Sequence, residues 1–243
     1  MLSSVDPLRI YIYEEGLVRF ATEKYTLAGD SLSNQFIHLT NFSINKNSEK
    51  FKNDKSESEE LKYKWALSTL KEFMKQLGLD PNLMMMRIED IIVKTIIGIE
   101  RQLFSAYSQN VPFRDNCFQL FGFDILIDSA LNPWLIEVNL SPSMGCSTSL
   151  DFDIKSKLLS DLLTVIGVPP KESRDGNYYR VNEEFMKEKD KEDKFDDAIK
   201  RNKKDGRARE MEIVQETREE VLRGENWKLI YPSYNVSIYQ KFF

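Results

Sequence analysis

"FQLFGFDILID" at residues 118–128 and "WLIEVNL" at 134–140 decide the fold of the middle part of the chain. Both stretches are rich in β-branched and aromatic residues, which favour strands. The segment between them, residues 129–133, reads SALNP and contains the Asn and Pro that are typical of tight connections. The sequence therefore predicts two antiparallel strands joined as a hairpin.

The register of this hairpin brings two acidic residues together. If Asp128 lies opposite Pro133, then Asp124 lies opposite Glu137. Because side chains alternate along a strand, Glu137 and Asn139 share one face. The other face is apolar and is predicted to be buried in the core; it carries Phe123, Ile125, Ile127, Trp134, Ile136 and Val138.

Two carboxylates directly opposite each other repel, so the pair needs a compensating charge. A divalent cation between Asp124 and Glu137 would supply it. Asp, Glu and Asn offer hard oxygen ligands, which suit Mg²⁺ better than zinc. Mg²⁺ held by few carboxylates usually completes its shell with waters and nucleotide phosphates. The alternative is a solvent-exposed polar face with a tolerated acidic pair, and spacing alone leaves both interpretations open.

Further predicted elements flank this hairpin. Residues 8–13, "LRIYIY", are followed by the turn EEG and by residues 17–25, and together they predict a second hairpin. Residues 36–45 are predicted as another strand that ends in polar residues. Apolar residues recur at helical spacing in three segments, which are predicted as helices at 59–79, 84–108 and 153–167.

Composition limits the classes of protein to consider. A net charge of −5 argues against a general nucleic-acid binder. Cys117 and Cys146 have neither a metal-binding spacing nor a disulfide framework, which fits a reducing cytosolic compartment. No apolar run has the length of a membrane span. His38 is the single histidine and is interpreted as structural, so no catalytic protein nucleophile is expected.

The chain divides into three regions by composition. Residues 1–170 hold the elements described above. More than half of residues 171–225 are charged, with both signs about equally frequent, which predicts a solvated helix or a disordered linker. Residues 226–243 regain strand character and are predicted to pack back on the main domain.

The motifs "FQLFGFDILID…NPWLIEVNLSPS" and "LVRFATEKY…QFIHLTNFSINK" together resemble the tubulin tyrosine ligase-like family, ATP-grasp enzymes that add amino acids to proteins. "YIYEEGLVRFAT", "HLTNFSINK" and "LDFDIKSKLLSDLLTVIG" are most similar to its polyglutamylase members. The resemblance implies an α+β fold for residues 1–170, an ATP-grasp-like C-terminal subdomain with an antiparallel sheet and flanking helices. Because the resemblance begins partway through the family's domain, a partial fold that lacks the N-terminal part is expected.

The resemblance also implies a metal and nucleotide site. Asp124, Glu137 and Asn139 would hold two Mg²⁺ ions between the phosphates of ATP, which serves as co-substrate. Thr40 and Asn41, in "HLTN", would contact ATP. From the residues alone, Thr40 and Asn41 are equally consistent with the end of a strand, since Thr suits strands and Asn suits turns.

The same resemblance implies a site for the incoming amino acid. Arg19 would bind a carboxylate of free glutamate and Lys155 would be a further cation for it, whereas the residues alone favour solvated surface charges. Ser141 would lie near the acceptor peptide. The remaining residues implied at the glutamate site are Phe42, Ser43 and Lys64.

These roles imply an ATP- and Mg-dependent tubulin polyglutamylase that ligates free L-glutamate to glutamate side chains of the acidic tubulin tails through an acyl phosphate. A monomer without nucleic-acid or membrane partners is expected, in the cytoplasm on microtubules, with the cilium or basal body as further sites. The family's preceding region, with its adenine pocket, is absent from the sequence, so the chain alone is expected to be weakly active or inactive.

Two other functions stay open from the sequence. One is a non-catalytic microtubule-binding module of the same fold, which the intact Asp124, Glu137 and Asn139 disfavour. The other is a related ligase for glycine or tyrosine. Arg19 and Lys155 argue against it, because two cations suit an amino acid with two carboxylates.

Overall fold

The structure, a computed structural model, describes residues 1–26, 29, 33–45, 63–111, 117–167, 206–233 and 236–242. The strands are β1 Leu2–Val5, β2 Leu8–Tyr13, β3 Leu17–Arg19, β4 Lys64–Ala66, β5 Gly122–Ile127, β6 Pro133–Asn139 and β7 Trp227–Tyr231. The helices are α1 Gln35–His38, α2 Phe42–Asn45, α3 Leu67–Gln76, α4 Pro81–Ile97, α5 Glu100–Asn110, α6 Ser149–Val165 and α7 Gly206–Arg223. Two 3₁₀ turns, Val236–Ile238 and Gln240–Phe242, follow β7.

Within the described residues, the architecture is mixed α/β with three small sheets. One sheet has the strand order β1-β2-β7, and the pairs β3-β4 and β5-β6 form the other two. β1 and β2, β3 and β4, and β5 and β6 are antiparallel. This agrees with the expected antiparallel sheets flanked by helices.

The core forms where helix α4 packs on the first sheet. Asp80 caps α4 by accepting a hydrogen bond from the Asn82 amide at 2.9 Å, and Pro81 occupies the first turn. Strand and helix contribute side chains that are nearly inaccessible, which places the largest gain from burial here. The buried members of this cluster are Leu2, Leu8, Ile10, Ile92, Val93, Ile96, Ile97 and Ile230.

The prediction that residues 8–13 and 17–25 form a hairpin is wrong, because β3 pairs with a different strand. β3 pairs with β4, so that Val18 lies opposite Trp65 and Arg19 opposite Lys64. The edge-to-face contact of Trp65 with Phe20, with ring centroids 4.9 Å apart, packs the two strands together. A short turn after β2 suggested local pairing, but the partner strand lies far along the chain, which no local pattern encodes.

Three other element predictions needed correction. The helix predicted at 59–79 spans Leu67–Gln76, because Lys64–Ala66 form strand β4. Residues 36–45 form the short helices α1 and α2 and not a strand; Asn34 caps α1 by accepting from the Phe36 amide at 3.0 Å. The helix predicted at 84–108 is two helices, α4 and α5, which are separated at Gly98 and Ile99. Glycine has low helix propensity, which accounts for the break.

The predicted register of the β5-β6 hairpin is confirmed at its functional end. Asp124 lies opposite Glu137 and Gly122 opposite Asn139. An irregularity between Asp124 and Ile125 then shifts the pairing by one residue, so Ile127 and not Asp128 lies opposite Pro133. A bulge of this kind adds a residue to one strand and re-aims the side chains beside it.

The prediction that the apolar face of this hairpin is buried was wrong. Trp134 is 58% exposed, Ile136 63% and Val138 38%. Of the predicted core face, Phe123 packs against the buried cluster of the first sheet. A sheet face that exposes this much apolar surface is unusual, because contiguous apolar patches are normally covered.

The described residues fall into two compact units. The first comprises residues 1–159 and 229–243, and the second residues 160–228. Within the second unit, the Arg223 guanidinium donates to the Val165 carbonyl, with Nη2 at 3.1 Å, and Asn226 Nδ2 donates to Asp161 Oδ2 at 2.8 Å. Residues 168–205, which include most of the predicted charged linker, lie outside the described residues, and the boundaries at 170 and 225 stay predictions.

Candidate functional site: a carboxylate pair beside basic side chains

The site is built around the carboxylate pair of the β5-β6 hairpin. Asp124 is half-buried and lies directly opposite the exposed Glu137. Asn139, two residues further along β6, donates from Nδ2 to Glu137 Oε1 at 3.1 Å. Two carboxylates and one amide therefore meet on one face, as the alternation of strand side chains predicts.

The surroundings of the Asp124 carboxyl raise its pKa. Partial burial raises its pKa above the ordinary value, because burial disfavours the charged form. The positive charge of Arg19 opposes this rise, whereas the charge of Glu137 and a hydrogen bond with that side chain add to it. The charge of Arg19 therefore reaches Asp124 although Arg19 belongs to strand β3 of another sheet.

The turn end of the hairpin is fixed by Asp128. Its Oδ1 accepts from the amides of Ala130 at 2.9 Å and Asn132 at 2.8 Å, and its Oδ2 accepts from the Trp134 indole at 3.0 Å. The Trp134 bond, followed by the other donors, lowers the pKa of Asp128 to about 2. Arg87 of α4 donates to the Leu131 carbonyl at 3.2 Å, which ties the turn to the helix.

Pro142 packs closely where β6 leaves the sheet. A Cβ added at Gly122 would meet Pro142 Cβ at 3.0 Å and Asn139 Cβ at 3.5 Å. Glycine at this position therefore lets the chain after Asn139 lie against the strand opposite it. Ser141, expected near the acceptor peptide, is exposed in this segment.

Lys64 occupies a buried position beside Arg19. Its backbone pairs with Arg19 across the β3-β4 ladder. Its ammonium binds Asp151 Oδ2 at 2.8 Å and Ser147 Oγ at 3.3 Å, and the two charged side chains are 11% and 3% exposed. These contacts favour a structural role for Lys64, while its expected role in glutamate binding stays a prediction.

Asp151 organises the start of helix α6. Its Oδ2 also accepts from the Ser147 amide at 3.0 Å and the Thr148 amide at 3.2 Å, and its own amide donates to Thr148 Oγ1 at 3.2 Å. This reciprocal pattern is a capping box. Although burial opposes it, the bonds from Lys64 and Ser147 hold the pKa of Asp151 well below its usual range.

Lys155 lies one turn after Asp151 in α6, and its ammonium donates to the Gly145 carbonyl. Lys64 and Lys155 therefore both contact the segment 143–148, which follows the carboxylate strand. The structure brings this segment, the two lysines and Arg19 into a connected arrangement.

The residues expected at the nucleotide are less well connected. Thr40 is half-buried and Asn41 is exposed, and the Asn41 carbonyl accepts from the Ile44 and Asn45 amides at 3.0 Å as α2 begins. Within the described residues, no hydrogen bond or ion pair links Thr40 or Asn41 to the carboxylate pair. The side chains of Phe42 and Ser43 lie outside what the structure describes.

The donor set fits Mg²⁺ bound by few protein ligands. No group of three or more His, Cys, Asp or Glu side chains with metal-binding geometry occurs within the described residues. Asp124 and Glu137 supply two facing carboxylates, whose mutual repulsion a cation would relieve, and Asn139 supplies an amide oxygen. Mg²⁺ typically uses one or two carboxylates and leaves the remaining positions to water and phosphate.

Comparison with known proteins decides the family. Residues 1–176 match the tubulin-tyrosine ligase family. The chain belongs to the tubulin-tyrosine ligase family. The resemblance carried by the motifs around Arg19 and Glu137 is thereby confirmed, and the family's ATP-grasp-like architecture agrees with the mixed α/β fold.

Several relatives within the tubulin-tyrosine ligase family glutamylate tubulin according to their names. The human tubulin polyglutamylase TTLL5 is 48% identical over 168 residues, which cover 69% of this chain but 13% of that protein. The human tubulin monoglutamylase TTLL4 is 42% identical over 166 residues, 68% of this chain and 14% of that protein. The tubulin polyglutamylase ttll-4 of Caenorhabditis briggsae is 35% identical over 258 residues, 98% of this chain and 42% of that protein. The chain thus spans less than half the length of these relatives.

Sequence reasoning missed Asp151 as a site residue of this tubulin-tyrosine ligase family member. The signal was present, because Thr148 and Asp151 have the spacing of a capping box ahead of an apolar helical run. The partner Lys64 lies 87 residues earlier, and that contact has no local signature.

Proposed function

We propose that this chain contributes the metal site and the amino-acid site of an ATP- and Mg-dependent ligase that joins L-glutamate to glutamate side chains of tubulin tails. The observation that carries the proposal is the pairing of Asp124 with Glu137, with Asn139 beside them and the charge of Arg19 lowering the pKa of Asp124. Membership of a family whose members include named tubulin glutamylases supports the choice of tubulin and glutamate.

Asp124, Glu137 and Asn139 would hold Mg²⁺ through oxygen ligands. The bound ion would neutralise charge on the ATP phosphates during phosphoryl transfer. Burial and the charge of Glu137 raise the pKa of Asp124, and a cation bound beside this carboxyl would favour its ionised form. The second ion implied by the resemblance stays a prediction, as do the contacts of Thr40 and Asn41 with ATP.

Arg19 and Lys155 are the proposed cationic contacts of free glutamate. Arginine presents a planar fork of donors that matches a carboxylate, and a lysine can bind a second carboxylate as a point charge. Arg19 also lies close enough to Asp124 to influence its charge, which would place the amino acid beside the transferring phosphate. Phe42, Ser43 and Lys64 are the other proposed residues at the glutamate site.

The proposed reaction needs no protein nucleophile. The γ-phosphate of ATP passes to a side-chain carboxylate of the acceptor, and ADP leaves. The amino group of free glutamate then attacks the acyl phosphate, forms the isopeptide bond and displaces inorganic phosphate. The residues of this chain orient the reactants and present fixed charge, which is how ligases of this kind lower the barrier. Ser141 is the proposed neighbour of the acceptor.

The test is transfer of labelled L-glutamate to microtubules in the presence of ATP and Mg²⁺. It is performed with the 243-residue chain and with a chimera of human tubulin polyglutamylase TTLL5 in which the matching 168-residue stretch of this chain replaces its counterpart. We expect transfer by the chimera and its loss in the Glu137→Gln variant. Transfer that survives this substitution would contradict the metal assignment.

The alternative functions give different results in the same assay. A non-catalytic microtubule-binding module would co-sediment with microtubules and transfer nothing, even as the chimera. A glycine or tyrosine ligase would incorporate one of those labelled amino acids in preference to glutamate, and the roles of Arg19 and Lys155 would then be wrong.

The proposal includes further features of the protein. A monomer that acts in the cytoplasm on microtubules, including those of cilia or basal bodies, is expected from the proposed substrate. No helix among the described residues has the length and apolarity needed to cross a membrane.

A further inference from the structure

The Lys64–Asp151 pair joins two distant parts of the chain inside the protein. The charged atoms are 2.8 Å apart, 87 residues separate the partners, and the two side chains are 11% and 3% exposed. Burying two charges costs solvation free energy, so such a pair is weak evidence for stability. Its best-attested use is to fix the register of the elements that carry it.

The pair connects the elements that carry the two proposed glutamate-binding cations. On one side, Lys64 lies opposite Arg19 in the β3-β4 ladder. On the other side, Asp151 precedes Lys155 by four residues in α6, and residues four apart lie on the same helix face. The buried Lys64–Asp151 ion pair therefore links the strand pair that carries Arg19 to the helix that carries Lys155.

The Asp151 carboxylate also fixes the segment between the carboxylate strand and α6. One oxygen, Oδ2, accepts from the Lys64 ammonium, from the Ser147 amide and hydroxyl, and from the Thr148 amide. The same segment receives the Lys155 ammonium at the Gly145 carbonyl. Loss of one carboxylate would release several constraints at once.

We propose that Asp151 is a positioning residue that, through Lys64, sets the spacing between Arg19 and Lys155 and thereby selects the amino acid whose two carboxylates fit. This inference rests on the proposed function. Two of the N–H groups of the Lys64 ammonium are engaged by Asp151 and Ser147, so Lys64 holds the site together. Specificity of this kind depends on a supporting shell that keeps the binding groups in place.

The first experiment measures amide hydrogen exchange by mass spectrometry in the wild-type chain and in Asp151→Asn. We expect exchange to accelerate by about 100-fold or more in β3-β4 and in segment 143–148, the scale expected when a buried ion pair is broken from one side. Strands β1 and β2 should exchange as in the wild type. Asp80→Asn is the matched control, because Asp80 caps α4 on the surface.

A double variant keeps the test valid if Asp151→Asn fails to fold. Lys64→Met combined with Asp151→Asn removes both charges, so no unpaired buried charge remains. The double variant should fold and still show accelerated exchange in segment 143–148. If the single or the double variant exchanges in segment 143–148 at the rate of the Asp80→Asn control, the Lys64–Asp151 pair does not hold this segment in place and the proposal is wrong.

The second experiment titrates the chain with L-glutamate and L-aspartate by calorimetry. Asp151→Asn should weaken glutamate binding by about 10-fold and reduce the preference over aspartate, since a displaced binding group loses affinity through poorer preorganisation. Unchanged affinity together with accelerated exchange would overturn the specificity role. If the wild-type chain binds no glutamate, both the proposed function and the specificity role are wrong. Amide hydrogen exchange still tests whether the Lys64–Asp151 pair holds β3-β4 and segment 143–148 in place.

Discussion

Replacing Glu137 with Gln should stabilise the metal-free protein while removing its response to Mg²⁺. Glu137 lies opposite Asp124. Burial raises the pKa of Asp124, and the charge of Glu137 and a hydrogen bond with its side chain add to the rise. Glutamine has the same shape, and its amide oxygen can still accept the bond that Asn139 Nδ2 now makes to Glu137 Oε1 at 3.1 Å. The substitution therefore removes repulsion without creating a cavity.

The magnitude follows from the geometry of the pair. Directly opposed residues on a sheet interact by about 0.2–1 kcal/mol, and like charges destabilise. Because Glu137 is exposed, we expect a gain in the free energy of unfolding within this range at low salt, and a smaller gain at high salt. For a chain of this size, 1 kcal/mol corresponds to about 2–4 °C in Tm.

The assay is thermal unfolding of both proteins, first in EDTA and then over a series of Mg²⁺ concentrations. A ligand present at 100 times its Kd stabilises the protein that binds it by about 2.7 kcal/mol. The wild type should show a rise of this kind, and Glu137→Gln should not. Glu72→Gln on α3 is the control, since Glu72 pairs with Lys75 at 3.6 Å on a strongly exposed surface.

Two results would refute the reasoning. If Glu137→Gln is less stable than the wild type in EDTA, the carboxylates do not repel and the site is organised differently. If the Mg²⁺-dependent rise in Tm is the same in both proteins, the ion binds elsewhere. The control should change by less than about 0.5 kcal/mol under every condition.

Three further perturbations test other parts of the structure. Folding lowers the pKa of Asp151, so the contribution of its carboxylate to the free energy of unfolding is complete above the unfolded pKa of about 3.9 and declines as the pH falls below that value. In urea titrations from pH 7 to pH 3, the stability difference between the wild type and Asp151→Asn should shrink below about pH 4. A difference that stays constant with pH would refute the assignment. Gly122→Ala should displace Pro142, because the added Cβ meets it at 3.0 Å, and should raise amide exchange just after β6; unchanged exchange there would contradict the packing. Ile96→Ala should cost about 2–5 kcal/mol in chemical unfolding, since Ile96 is 2% exposed, whereas Met86→Ala at a 63% exposed position should cost less than about 0.5 kcal/mol, and equal losses would refute the described core.

The sequence predicted those parts of the fold that depend on local patterns. Strand β2, helices α4 and α6 and the β5-β6 hairpin follow from hydrophobic spacing and turn residues. The prediction of a strand at 36–45 was wrong because short helices such as α1 and α2 have too few turns for a periodic pattern to appear. The pairing of β3 with β4 failed because strand partners distant in sequence leave no local signal.

The candidate site shows the same division. The register that puts Asp124 opposite Glu137 was predicted, since side-chain alternation fixes it once two strands are joined by a short turn. The shift beside Ile125 was not, because a bulge depends on how each strand packs. The exposure of Trp134 and Ile136 was also missed. The shift beside Ile125 pairs Trp134 with Leu126 and not with Ile127, and an apolar pattern does not indicate what covers a face.

By itself, the sequence determined the family and the carboxylate pair, because both are written in continuous motifs and in the two-residue period of a strand. Only the tertiary structure decided that Arg19 acts on Asp124 and that Lys64 binds Asp151. Contacts of this kind join segments far apart in the chain. Their partners are selected by how sheets and helices pack, where burial strengthens each charge interaction and leaves no trace in the spacing of residues.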